Sequence, residues 1–242
     1  MIHFYVALAL TVGALVALGM AVRDHVRWKQ SVRLLEAANL NVPISTTAPN
    51  PLRLLVYLLA IVIALIAPLP PGILYKASVG FALVLFLLME LLMTIPGTPA
   101  ILRSGTNSAV YFVLWLGFSA TTGGALWSLW GLVALLPVAL AVLYWWLIRK
   151  QLGYLQITIV VYMVNASLVL CFAAALFATQ PALWSLFGLL GALILVGADA
   201  VRGWDRFRRP LRNGERTQLL CLLVATLLLA WSTWGTFLPF FV

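Results

Sequence analysis

Apolar residues run along this chain in blocks about twenty long, separated by short stretches where the charges, prolines and paired glycines collect. A bilayer core about 30 Å thick takes roughly twenty apolar residues as a helix, and eight blocks meet or approach that length. They fall at about 3 to 22, 52 to 69, 73 to 95, 108 to 122, 126 to 148, 154 to 178, 182 to 201 and 218 to 240. Pro68, Pro70 and Pro71 close the second block, Pro96 and Pro99 follow the third, and Gly123 with Gly124 marks the turn after the fourth. Proline cannot continue a helical ladder, and it serves here as punctuation. The first block lacks the basic leading segment of a secretory signal and its apolar part is too long for one, so it reads as a retained helix. The pattern predicts an all-α fold: a polytopic membrane helix bundle of about eight transmembrane helices, in which residues 1–242 form a single transmembrane domain.

Composition agrees with this reading. The 242 residues are 64% hydrophobic and 9% charged, against roughly 25% charged in a soluble domain. A formal net charge of +9 would suggest nucleic acid as partner if the basic residues shared a groove, but they sit between the apolar blocks. Counted by loops, fourteen of the fifteen Lys and Arg fall in the first, third, fifth and seventh. Lys76 is the exception, at the start of the third block, where its stem can snorkel to the interface. By the positive-inside rule those odd loops are cytoplasmic and both termini non-cytoplasmic. The segment from Arg23 to Asn39 mixes basic residues with Val26, Trp28, Val32 and Leu34, and suits an extension of the first helix along the membrane surface or into water. The tryptophans Trp127, Trp130, Trp145, Trp146, Trp184, Trp204, Trp231 and Trp234 cluster near block ends, as an aromatic belt at the headgroups would place them. Cys171 and Cys221 lie in apolar runs with no CxxC or histidine-rich surroundings and read as packing residues.

Six acids occur in the whole chain. Asp24, Glu36, Asp205 and Glu215 stand in basic loops, whereas Glu90, in LVLFLLME, and Asp199, in LILVGADAV, fall inside apolar blocks. An intramembrane carboxylate is costly and usually faces the bundle interior for a functional reason. On the predicted topology both lie in the cytoplasmic half at similar depth, Glu90 five residues before Ile95 and Asp199 three before Arg202. Were the third and seventh helices neighbours, the two could form a carboxyl pair dividing into one acid and one base; the alternative is an ion pair between Asp199 and Arg202. Asn165 and Ser167, near Tyr162 in the sixth block, suit interhelical hydrogen bonds or substrate contact. With only His3 and His25, and without HExxH, GxSxG or a P-loop, the residues offer no metal, serine-nucleophile or nucleotide chemistry.

The eight short-looped blocks resemble the YhhN-type lysoplasmalogenase family, over most of the chain from about Asn50 onward. ADAVRGWDRF, residues 198 to 207, is similar to that family's Ser-Asp motif, with Asp199 as its aspartate. MELLMTIP is similar to its Gly-Asp pattern with a proline six residues after the acid, Glu90 standing for the aspartate and Pro96 for the proline. Tyr162 matches a tyrosine of the sixth span, and Asn50-Pro51 a Lys-Pro pair opening the second. Departures are Glu90 for Asp, Met89 for Gly, no histidine around Tyr111 to Leu116, and Cys221 and Leu222 near an expected Tyr-Tyr pair. The resemblance implies hydrolysis of a lysoplasmalogen vinyl ether to a fatty aldehyde and a glycerophospho-ethanolamine or -choline. It implies Glu90 and Asp199 as catalytic carboxyls, with Tyr162 beside the lipid, and no metal or organic cofactor; Asn165, from its mid-span position, is the second substrate-binding candidate. A membrane lysophospholipid would be the partner, and a bacterial inner membrane the setting. A small proton-coupled transporter and a non-catalytic lipid-binding membrane protein are the competing expectations.

Overall fold

The computed structural model describes residues 2–37, 51–68, 72–95, 98–122, 156–207 and 214–235, with six further helical positions between 138 and 146. These residues are all-helical, with no strand among them, and form seven long helices: α1 (Ile2–Ala37), α2 (Pro51–Leu65), α3 (Ile73–Thr94), α4 (Ala100–Thr122), α5 (Gln156–Thr179), α6 (Leu183–Phe207) and α7 (Gly214–Ser232). Helices are the form such sequence takes in lipid because each satisfies its own backbone hydrogen bonds where water is absent. Pro51 opens α2 at a position whose N–H has no intrahelical partner anyway. Pro99 precedes α4 and accepts the amide of Leu102.

Five of the helices are long and apolar enough to cross a membrane: Ile2–Asp24 within α1, Ile73–Leu92 within α3, Ile157–Thr179 within α5, Leu183–Asp205 within α6, and α7. By that measure the chain is an integral membrane protein. The 15 residues of α2 form a shorter apolar helix. α4 is outside the five although it has 23 residues, since Arg103, Ser104, Thr106, Asn107 and Ser108 dilute its first turns. Its start at Ala100 also corrects the predicted start at 108: the polar residues that marked a loop in the sequence are helical. Most of the predicted fifth span, 126 to 148, lies outside the described residues. α1 runs unbroken for 36 residues, about 54 Å at 1.5 Å per residue, so it continues well beyond a bilayer core, as its basic second half predicts.

α7 sits at the centre and packs against α1, α2, α3 and α6, while α4 joins α3 to α5 and α5 joins α4 to α6. Small residues set the closest approaches, as is usual where lipid gives no hydrophobic drive between helices. A Cβ on Gly117 of α4 would lie 2.6 Å from the Ser78 Cβ of α3, and one on Gly191 of α6 would lie 3.0 Å from Leu229 of α7. Gly188 of α6 leaves room for the Tyr75 hydroxyl and the Phe118 ring. Tyr75, fully buried, donates to Ser232 Oγ at 2.7 Å.

Two expectations change on contact with the structure. Lys76 does not simply snorkel: its Nζ donates to the carbonyls of Leu65 and Ala67 at 2.8 and 2.7 Å, closing the end of α2. Nor do Trp184 of α6, Trp231 of α7 and Trp234 just past it simply form a headgroup belt. Trp184 and Trp234 are buried in the core, and the Trp234 indole donates to the Ile63 carbonyl at 3.1 Å. Trp231 donates to Thr11 Oγ1 of α1 at 2.9 Å. Indoles with an internal acceptor can enter the bundle, and here they tie α7 to α1 and α2. Trp146, 58% exposed, keeps the lipid-facing position. Cys171 is a buried thiol and Cys221 a half-buried one, as packing residues would be.

Candidate functional site

Each of the two intramembrane acids has polar partners on neighbouring helices. Tyr75 of α3 and Trp184 of α6 meet edge to face with ring centroids 5.8 Å apart, which fixes these helices at one level. Glu90 is fifteen residues beyond Tyr75, and Asp199 fifteen beyond Trp184. Both acids therefore lie about 22 Å further along, toward the same end of the molecule and at matching depth.

Asp199 is half-buried on α6, and three donors from other helices converge on its Oδ2. Tyr111 of α4 donates at 2.7 Å, Asn107 of α4 at 3.1 Å and Tyr162 of α5 at 3.1 Å. Asn107 and Tyr111 are four residues apart, so one face of α4 presents both. The two tyrosine rings pack edge to face, centroids 5.1 Å apart at 88°, with hydroxyls 3.5 Å apart. Bonds to an ionised acceptor are about twice as strong as neutral ones, and three on one oxygen satisfy it, leaving Oδ1 without a bond among the described residues.

Glu90 has a separate partner. Its Oε1 lies 3.4 Å from the Arg53 guanidinium of α2, with side chains 15% and 19% exposed. α2 and α3 run antiparallel, so the next rung pairs Tyr57 with Phe86, rings stacked 6.3 Å apart at 19°. Tyr57 is thus one turn deeper than the ion pair. It is fully buried, and its hydroxyl has no hydrogen-bond partner among the described residues. The Oδ1 of Asn107 is likewise buried and unpartnered. Native interiors leave few such atoms, each costing about 1 to 3 kcal/mol; here one belongs to a residue bonded to Asp199 and the other to a residue one turn from the Arg53–Glu90 pair.

The expected direct carboxyl pair is not formed: Glu90 bonds to Arg53 and Asp199 to tyrosine and asparagine donors. Tyr162 is in contact with Asp199. Asn165, one turn along α5, is engaged elsewhere, donating to Ser108 Oγ at 3.0 Å and accepting from the Trp115 indole at 3.3 Å; it joins α4 to α5. Ser167 donates to the Met163 carbonyl of its own helix. Sequence reasoning passed over Arg53, Tyr57, Asn107 and Tyr111. Arg53 was legible as a cation entering an apolar block opposite Glu90, and Asn107 and Tyr111 as an i, i+4 polar pair; Tyr57 gave no signal, since a tyrosine in an apolar run ordinarily packs. Among the described residues there is no cluster of three metal-ligating side chains.

Fold and site together define an all-helical integral membrane protein with a hydrogen-bonded carboxylate and an ion-paired one at the same depth. Compared with known proteins, the chain has no match: no family model, no curated protein and no solved structure.

Proposed function

We propose that this chain is a membrane-embedded lipid hydrolase of the YhhN lysoplasmalogenase type, an eight-span bundle of a bacterial inner membrane with both termini on the non-cytoplasmic side. The observation that carries the reading is Asp199, a half-buried carboxylate held by Asn107, Tyr111 and Tyr162 at the depth of the Arg53–Glu90 pair. Of the residues named by the family resemblance, Tyr162 touches Asp199, while Glu90 lies at similar depth in its own ion pair with Arg53. An acid cluster toward one end of the helices also suits a single-chain lipid reaching it from one leaflet.

Vinyl ether hydrolysis needs a proton donor and a carboxylate. Protonation of the vinyl carbon remote from the ether oxygen gives an oxocarbenium ion. Water adds to the carbon next to oxygen and loses a proton, and the hemiacetal breaks to the aldehyde and the glycerol hydroxyl, consuming one water in all. Glu90 and Asp199 supply the donor and the carboxylate between them, the donor first taking up a proton from solvent and regaining it from the attacking water; Asp199 offers Oδ1, its Oδ2 being occupied.

The test is aldehyde release from lysoplasmenyl-ethanolamine by the purified protein in detergent, with Glu90→Gln and Asp199→Asn alongside. Release by the parent, lost in both folded variants, supports the hydrolase. Folded parent protein giving no release from ethanolamine and choline substrates sinks it, and leaves transport or lipid binding as the role of the acids.

A further inference from the structure

The two intramembrane acids differ in how their charge is met. Glu90 has the Arg53 guanidinium, whereas Asp199 has no ion pair among the described residues. Its partners Tyr111, Tyr162 and Asn107 are neutral dipoles, and each gives a hydrogen to Oδ2. A charge inside a membrane is costly without one of opposite sign beside it. What these groups have left is all of one kind. A carboxylate only accepts, so the Asn107 amide must turn its Nδ2 toward Asp199, and Oδ1 is fixed as its other end. That oxygen is buried and has no partner among the described residues. Asp199 Oδ1 is a second acceptor without a bond there. The two oxygens belong to adjoining planar groups joined by the 3.1 Å bond from Asn107 Nδ2 to Asp199 Oδ2, close enough to share one ion or an ion and its water. The unmet capacity is therefore oxygen acceptors carrying one negative charge. Anions are repelled, a neutral donor leaves the charge unpaired, and a divalent ion overcompensates a single carboxylate. A monovalent cation matches both the charge and the hard oxygen ligands.

We propose that Asp199 Oδ1 and Asn107 Oδ1 form a binding site for a monovalent cation, filled by an alkali metal ion or by the primary ammonium of an amine-headed lipid. The site does not rest on the hydrolase reading. In that reaction the same carboxylate oxygen would face the oxocarbenium ion, itself a monovalent cation, so a bound cation would compete with the substrate.

Two measurements without turnover test this, each on the full chain in detergent at constant ionic strength. The first is thermal unfolding in sodium chloride, potassium chloride, ethanolamine hydrochloride or choline chloride. Choline has no N–H and its methyl groups keep its charge from the oxygens, so it is the reference. A cation that binds raises Tm over choline, by about 3 to 6 °C at ten times its Kd, and the rise saturates. The second is equilibrium binding of radiolabelled sodium and of radiolabelled ethanolamine. Asp199→Asn should abolish the Tm rise and the binding, and Asn107→Leu should weaken binding about tenfold. Asp24→Asn, which removes an acid paired with Arg23, should change neither. A response to sodium or potassium assigns the site to an inorganic ion, and a response to ethanolamine alone assigns it to the lipid amine; either supports the site. A parent protein with the same Tm in all four salts and no saturable binding of either label overturns it, whether or not the variants fold, and so does binding that survives Asp199→Asn. A protein that binds the cation but releases no aldehyde keeps the site and loses the hydrolase; one that releases aldehyde with no response to cations does the reverse.

Discussion

Replacing Tyr111 by Phe removes one oxygen and leaves the ring in place against Tyr162. The lost bond is the shortest on Asp199, 2.7 Å, and Tyr111 is fully buried. Hydrogen bonds to charged groups contribute about 1.5 to 3 kcal/mol in proteins generally. Two effects lower that figure here: the Asp199 oxygen keeps two other donors, and polar groups of a chain unfolded within the membrane find alternative partners, so that measured interhelical bonds average about 0.6 kcal/mol. The expected loss is about 1 to 2 kcal/mol, between fivefold and thirtyfold in the folded-to-unfolded ratio, measured by reversible denaturant titration in mixed micelles. The decisive quantity is the cycle with Asp199→Asn. Against a neutral acceptor the same Tyr111→Phe change should cost only about 0.5 kcal/mol, a coupling of about 1 kcal/mol. Equal costs on the two backgrounds would refute the claim that the tyrosine holds the carboxylate, and with it the geometry of the site.

Other outcomes follow from the packing and the second acid. Gly117→Ala should destabilise by about 1 to 3 kcal/mol, because the new methyl would meet Ser78 at 2.6 Å, while Gly80→Ala, with nothing within 4 Å, should be neutral or stabilising in the same denaturation assay. Arg53→Met should destabilise more than Arg53→Met combined with Glu90→Met, since the single change leaves a mostly buried carboxylate unpaired and the double removes it; equal stabilities would show that the pair is not formed. Lys76→Met should speed amide exchange at the end of α2 while leaving exchange in α5 unchanged, because its ammonium bonds the carbonyls of Leu65 and Ala67.

What the sequence disclosed and what it withheld have different physical origins. The bilayer fixes helix length and forbids stray charge, so apolar blocks and their punctuation mark helices without any tertiary information. Glu90 and Asp199 stood out for the same reason. α4 was misjudged at its start because its early turns are polar: Asn107 and Ser108 look like a loop until a neighbour engages them. Asn107 and Ser108 enter the bundle because Asp199 and Asn165 receive them, and neither partner is near in sequence.

Tyr57 and Trp234 show the converse. Each sits in an apolar run as an ordinary large residue would, and each acquires its meaning from a helix elsewhere in the chain. Trp234 finds a carbonyl of α2 and becomes a core tether. Tyr57 finds no bond but stands one turn from an ion pair. An aromatic residue with a polar tip tolerates either setting, so the sequence does not distinguish them. The bundle does so by burying the hydroxyl against Phe86, one turn from the Arg53–Glu90 pair. There the unmet hydroxyl costs about 1 to 3 kcal/mol, a penalty that no inspection of the apolar run around Tyr57 would have revealed.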